Sequence, residues 1–159
     1  MDFNASQKLK GIWFYGLAGS GKTYASKLVA KTHPLAFIVD GDEVRKYVSL
    51  DLGYSIEDRK VQIKRILGLS IISINNGFFP IASSVLMSDE ILTQCKKKFI
   101  KVIQINRSRE QVLAHREIYM TSTQVVGNDI VQEQLDTPQL FNDGSLNFRQ
   151  QVLKYAEQI

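Results

Sequence analysis

The chain has 159 residues, enough for one compact α/β domain and too few for two ordinary ones, so residues 1–159 are read as a single domain. An apolar fraction of 44% and a charged fraction of 23%, without any low-complexity tract, exclude a disordered or fibrous chain. The net charge of +4 is scattered, and the run Lys96-Lys97-Lys98 is too short for a basic arm, so no nucleic-acid partner is expected.

From the amino terminus, Met1 to Lys8 lacks the charged-then-apolar order of a signal peptide, and no apolar run approaches the roughly 18 residues of a membrane span. A cytoplasmic protein with no membrane partner is the expectation. The run Gly11-Ile12-Trp13-Phe14-Tyr15-Gly16 is short, apolar and followed by a glycine-rich stretch, which predicts a buried strand feeding a turn. After Lys22 and Thr23, the spacing of Ala25, Leu28 and Val29 predicts the buried face of a helix. Leu35 to Val39 predicts a second strand, closed by Asp40-Gly41-Asp42.

From Ile63, apolar residues recur at Ile66, Leu67, Ile71 and Ile74, the helical period, until Asn75-Asn76-Gly77 supplies a stop. Phe78 to Ala82 reads as a third strand, although Pro80 has no N–H to give a ladder. Cys95 is the single cysteine, so an intrachain disulfide and a cysteine metal site are both excluded, and it is read as structural. Phe99 to Ile105 predicts a fourth strand, Arg109 to Tyr119 a helix, and Gln139-Leu140-Phe141 a short fifth strand. Phe148, Val152, Tyr155 and Ile159 share one stripe of a closing helix.

Alternating strands and helices call for an α/β fold of three layers, about five parallel strands with helices on both faces and right-handed crossovers. Ligands in such folds sit at the carboxyl ends of the strands. The glycine loop, Asp40-Gly41-Asp42, Ser83-Ser84 and Asn106-Arg107 all fall there.

Gly16, four intervening residues, and Gly21-Lys22-Thr23 spell a phosphate-binding loop in its required place between a strand and a helix. Backbone N–H groups of Ala18, Gly19, Ser20 and Gly21 would surround the phosphates of ATP. Lys22 would reach the β- and γ-phosphates, and the Thr23 hydroxyl would coordinate Mg²⁺. The plain alternative is a glycine-rich turn. The guanine-reading Asn-Lys-x-Asp and the Asp-x-x-Gly of GTPases are both missing, and the chain is short for an ATPase machine. A small kinase of the P-loop kinase fold remains.

That loop, together with Asp40-Gly41-Asp42-Glu43-Val44-Arg45, Asp51-Leu52-Gly53-Tyr54-Ser55 and Asp58-Arg59-Lys60, resembles adenylylsulfate kinases. The likeness covers about the first 75 residues and returns at Val125-Val126-Gly127-Asn128-Asp129-Ile130. It implies transfer of the ATP γ-phosphate to the 3′-hydroxyl of a small nucleotide. Lys22 and Asp42 would be catalytic, with Asp42 taking the hydroxyl proton or orienting Mg²⁺ through water. Arg45 and Arg59 would bind acceptor anions, Tyr54 would stack on the acceptor's base, and Asp40, Gln62, Ser83 and Ser84 would complete that side. Gln62 stands where the family has an asparagine. Arg116 would meet ATP by the same resemblance, Arg107 and Arg109 read equally well as ordinary helix arginines, and His33 and His115 as structural. A homodimer is a further implication.

Two stretches depart from the family. Ile81-Ala82-Ser83-Ser84-Val85-Leu86-Met87 replaces Phe-Ile-Ser-Pro-Tyr-Arg, and the lysine-rich lid shrinks to a few residues after His115-Arg116-Glu117-Ile118-Tyr119-Met120. Losing both basic elements predicts an altered acceptor. Adenylyl sulfate, the acceptor of a cytidine diphosphoramidate kinase, or no acceptor at all in a nucleotide-binding pseudokinase module stay open at this point.

Overall fold

The computed structural model describes residues 8–115, 125–127 and 130–159. In chain order the elements are β1 (Gly11–Tyr15), α1 (Lys22–Ala30), β2 (Ala36–Asp40), α2 (Gly41–Tyr47), α3 (Ile56–Asn75), β3 (Phe79–Ser84), α4 (Asp89–Lys97), β4 (Ile100–Asn106), α5 (Arg109–His115), β5 (Gln139–Phe141) and α6 (Leu146–Ala156). The five strands form one parallel sheet in the order β2-β3-β1-β4-β5.

All five residues of β1 are buried, and their alternation supplies both faces of the sheet. Trp13 and Tyr15 enter a cluster with Val44 of α2, Ile63 and Ile66 of α3, and Ile91 of α4. Ile12 and Phe14 enter a second cluster with Ala25 and Val29 of α1 and Phe148 and Val152 of α6. Each such fully buried aliphatic side chain contributes about 1.5–3 kcal/mol. The expected three-layer α/β architecture is therefore present.

Pro80 is accommodated by register. Phe79 N–H donates to the Leu35 carbonyl beside β2, and the Ser84 carbonyl accepts from Gly16 beside β1. Even-numbered positions of β3 therefore face β1, and the missing N–H of Pro80 points to where β1 only begins, at Gly11. A side chain at Gly11 would press on the Pro80 ring.

Several element boundaries differ from expectation: β2, β3 and β4 each start one residue later and run on to Asp40, Ser84 and Asn106. The helix α3 starts at Ile56, because the Ser55 side chain accepts the Asp58 N–H and caps it there. The short α2 was not expected. Asp40 caps it by accepting the N–H groups of Asp42 and Glu43, so the turn residues after β2 become a helix. Ile159 lies beyond the end of α6 yet still packs against the second cluster. The predicted helix from Arg109 is described to His115, and its continuation to Tyr119 lies outside the described residues. Burial pushes the Cys95 thiol up to about 12, as suits a core residue on α4. Among the described residues no helix is long and apolar enough to cross a membrane.

Candidate active site

The order of the strands puts β1 between β3 and β4, and the chain leaves β1 directly into the glycine loop. A side chain at Gly16 would run into the Ile105 carbonyl, and Gly21 is left-handed (φ 108°) with the Asn142 amide against it. Gly21 is also the N-cap of α1 and offers no side-chain cap, so the first-turn N–H groups of that helix stay available to an anion.

Three side chains hold the loop from three directions. Lys22 Nζ donates to the carbonyls of Gly16 and Leu17 at 2.8 Å each. Asn142, 7% exposed just after β5, donates from Nδ2 to the Ser20 carbonyl at 2.8 Å. Arg107, just after β4, donates from Nη1 to the Gly19 carbonyl at 3.2 Å. Asn142 is itself fixed, because its N–H donates to Asn106 and its Oδ1 accepts from Gly144 N–H.

The start of α2 carries two carboxylates with different surroundings, Asp40 as its N-cap and Asp42 in its first turn. Asp40 Oδ2 accepts from the Ser83 hydroxyl at 2.9 Å and stands 3.5 Å from Thr23 Oγ1. Its other oxygen is spent on the α2 cap. The carboxylate assigned to the acceptor by resemblance thus lies on the Thr23 side, because capping α2 and bonding Ser83 hold it there. Asp42 lines the same cavity and is exposed, with no side-chain hydrogen bond or ion pair among the described residues. Thr23 and Asp40 offer hard oxygen atoms facing one another, a donor set that fits Mg²⁺.

The other wall carries the aromatic cluster. Tyr54 is 54% exposed, and the guanidinium carbons of Arg45 and Arg59 lie 4.6 and 5.5 Å from its ring centre. Arg45 Nη1 donates to the Gly53 carbonyl at 2.6 Å, and Arg59 Nε donates to the Tyr54 carbonyl at 3.0 Å. The three residues that resemblance singled out are therefore brought together, each arginine fixed by the turn that precedes α3.

Gln62 is 5% exposed and donates from Nε2 to the Gly41 carbonyl, with Oε1 buried and unpartnered among the described residues. It ties α3 to the start of α2 at the cavity's edge. Both serines expected on the acceptor side line the cavity, but their hydroxyls have internal work. Ser83 holds Asp40 and accepts from Gly41 N–H, while Ser84 accepts from Trp13 Nε1 at 2.9 Å and donates to the Leu86 carbonyl. Val85, Leu86, Val125 and Val126 give the rest of this wall an apolar surface. Loop, carboxylates and aromatic cluster border one cavity of about 430 Å³. Arg116, expected at ATP, lies outside the described residues, as do Asn128 and Asp129.

Two residues that reach the loop were not assigned to it from sequence. Asn142 contacts it across 122 positions, which no local spacing reveals. Arg107 lies at the expected strand end but reads equally well there as an ordinary helix arginine; it precedes α5 and turns back over Gly19.

The sequence pattern of the family described as adenylylsulphate kinase matches residues 8–122. An adenylyl-sulfate kinase of Bacteroides thetaiotaomicron is 38% identical over 84 residues, covering 50% of this chain and 42% of that protein. The bifunctional enzyme CysN/CysC of Xylella fastidiosa is 33% identical over 94 residues, covering 54% of this chain and 15% of that protein. The matches thus span less than half the length of either relative. Among solved structures, the Mycobacterium tuberculosis APS kinase CysC in complex with AMPPNP and APS superimposes with a TM-score of 0.83 at 20% identity, covering 95% of this chain and 97% of that one. That likeness concerns the fold, while the family pattern spans the phosphate loop, both carboxylates and the Tyr54 cluster. The chain belongs to the adenylylsulphate kinase family.

Proposed function

We propose that this chain is an ATP-dependent kinase that transfers the γ-phosphate to a hydroxyl, by resemblance the 3′-hydroxyl, of a small nucleotide, as adenylylsulfate kinases do. The observation that carries the reading is the shared cavity: a phosphate loop with Lys22 and Thr23 on one wall, Arg45, Tyr54 and Arg59 on the other, and Asp42 between them. Residues 1–159 would act as one kinase unit.

In this reading Lys22 exchanges its two loop carbonyls for phosphate oxygens, which return more electrostatic energy than neutral acceptors. Thr23 and Asp40 would hold Mg²⁺, which when bound neutralises charge on the β- and γ-phosphates. Arg45 and Arg59 anchor the acceptor's anionic part, and the Tyr54 ring bears on its base. Asp42 accepts the hydrogen bond of the attacking hydroxyl and takes its proton. The new bond runs from that oxygen to the γ-phosphorus as the bond to the ADP oxygen breaks, so ADP leaves with that electron pair.

Val85 and Leu86 stand where the family has Tyr and Arg, which favours an acceptor carrying less anionic charge at that end. Incubating the purified protein with Mg-ATP and a panel containing adenylyl sulfate and other nucleotides is expected to give acceptor-dependent ADP. Asp42→Asn should lower turnover about 100-fold while ATP still binds. No acceptor-dependent ADP from any member of the panel, or an unchanged rate in Asp42→Asn, would overturn the reading.

A further inference from the structure

Arg107 is placed unlike an ordinary surface arginine. It leaves the carboxyl end of β4, lines the same cavity as Lys22 and Thr23, and bonds a loop carbonyl through Nη1. Its Nε is buried with no hydrogen-bond partner. Among the described residues the ion pairs are Lys64 with Glu90 and Arg65 with Asp51, so no carboxylate there neutralises Arg107.

Lys22 shows the same arrangement from the other side of the loop, with its ammonium resting on the carbonyls of Gly16 and Leu17. Two cations thus lean on three carbonyls of one loop, those of Gly16, Leu17 and Gly19, while the first-turn N–H groups of α1 beside it have no side-chain cap. A neutral carbonyl satisfies a guanidinium incompletely, and a phosphate oxygen is the stronger acceptor for a planar fork of donors. Leu17 and Ala18 pack with Val112 and Leu113 of α5, so the segment bearing Arg107 is fixed against the loop by apolar contact.

We propose that Arg107 is a binding residue for the donor's polyphosphate, a second cation opposite Lys22 that leaves the Gly19 carbonyl for phosphate oxygens when a nucleoside triphosphate occupies the loop. The proposal rests on the reading that this loop holds such a triphosphate. Its consequence is that the phosphates are gripped between β1 and β4, a device that uses no lid.

The test is equilibrium binding of ATP, ADP and inorganic tripolyphosphate to the full chain and to Arg107→Gln, Arg107→Lys and Lys22→Ala, with thermal unfolding of each ligand-free protein. For Arg107→Gln we expect a 10- to 100-fold loss of affinity for ATP and tripolyphosphate, a steeper salt dependence in the parent than in the variant, and partial recovery in Arg107→Lys. Equal binding by parent and Arg107→Gln would overturn the proposal. So would an affinity loss that is the same in Arg107→Lys as in Arg107→Gln and accompanied in both by a lowered melting temperature, the signature of a purely structural tether. If Lys22→Ala also binds ATP as the parent does, it is the triphosphate reading of the loop that fails; if Lys22→Ala loses binding and Arg107→Gln does not, only the role of Arg107 fails.

Discussion

The phosphate loop and the Tyr54 cluster face each other across one cavity, yet they are built differently. The loop is held by backbone geometry and by side chains from β4, α1 and the segment after β5, one of them nearly buried. The Tyr54 cluster is built around the turn before α3, and its arginines are fixed by carbonyls of that turn 8 and 5 residues away in sequence. A loop that must present several N–H groups to phosphate at once is intolerant of displacement, so long-range contacts brace it. A stacking surface accepts a range of bases through one exposed ring, and local contacts suffice. Within one cavity, the proposed donor wall is braced from afar and the proposed acceptor wall by local contacts.

The comparison breaks most sharply at Asn142. Asn142→Ala would leave the Ser20 carbonyl without its buried donor and open space beside Gly21, at a cost of about 1–3 kcal/mol. Denaturant unfolding should register that loss together with weaker ATP binding; a stability equal to the parent's would mean the long-range brace is dispensable. On the acceptor side, Tyr54→Ala is expected to raise the acceptor KM about tenfold, or about 1.4 kcal/mol, while leaving the ATP KM and the unfolding midpoint near their parent values. Tyr54→Phe should keep the parent KM, since the ring is the contact surface. Equal effects of Tyr54→Ala on both KM values would dissolve the division between the two walls.

The smallest effect concerns the support behind the acceptor wall. Arg65 on α3 forks onto Asp51 at 2.5 and 2.8 Å, and that hydrogen-bonded guanidinium holds the Asp51 carboxyl down at about 2. The folded carboxyl lies below its ordinary value of 3.8, so its contribution is complete above that value and is lost as pH falls towards 2. The pair is exposed, so the expected effect is slight. Asp51→Asn should flatten the acid limb of the unfolding curve between pH 4 and 2 by a small amount and leave neutral stability unchanged. A large loss at neutral pH would mean that this turn is braced as firmly as the loop.

Much of the fold was legible because its signals are short-range. Five apolar runs and the helical spacing of Ile63, Ile66 and Leu67 give the strands and the long helix directly. The start of α3 and the cap of α2 were not read, although Ser55 with Asp58 and Asp40 with Glu43 have capping spacing, and the seven residues of α2 carry too little periodicity to announce a helix. In the site, the loop and Tyr54 with its two arginines were found because they lie in contiguous segments. Asn142 was missed and the role of Arg107 left open for the opposite reason: each acts on the loop from a strand end far along the chain, and only the order β1-β4-β5 in the sheet brings them there. The work of Ser83 and Ser84 was hidden likewise, since their partners Asp40 and Trp13 come from neighbouring strands.

The bond from Asn142 to Ser20 also sets a timetable. Synthesis delivers the glycine loop first and its last brace 122 residues later, when the short β5 has joined β4. Until then β1, α1 and β2 can assemble, but the loop has an open flank at Gly21. On the proposed function, nucleotide binding would be acquired late on the ribosome, and it would report that the strand farthest from β2 has taken its place.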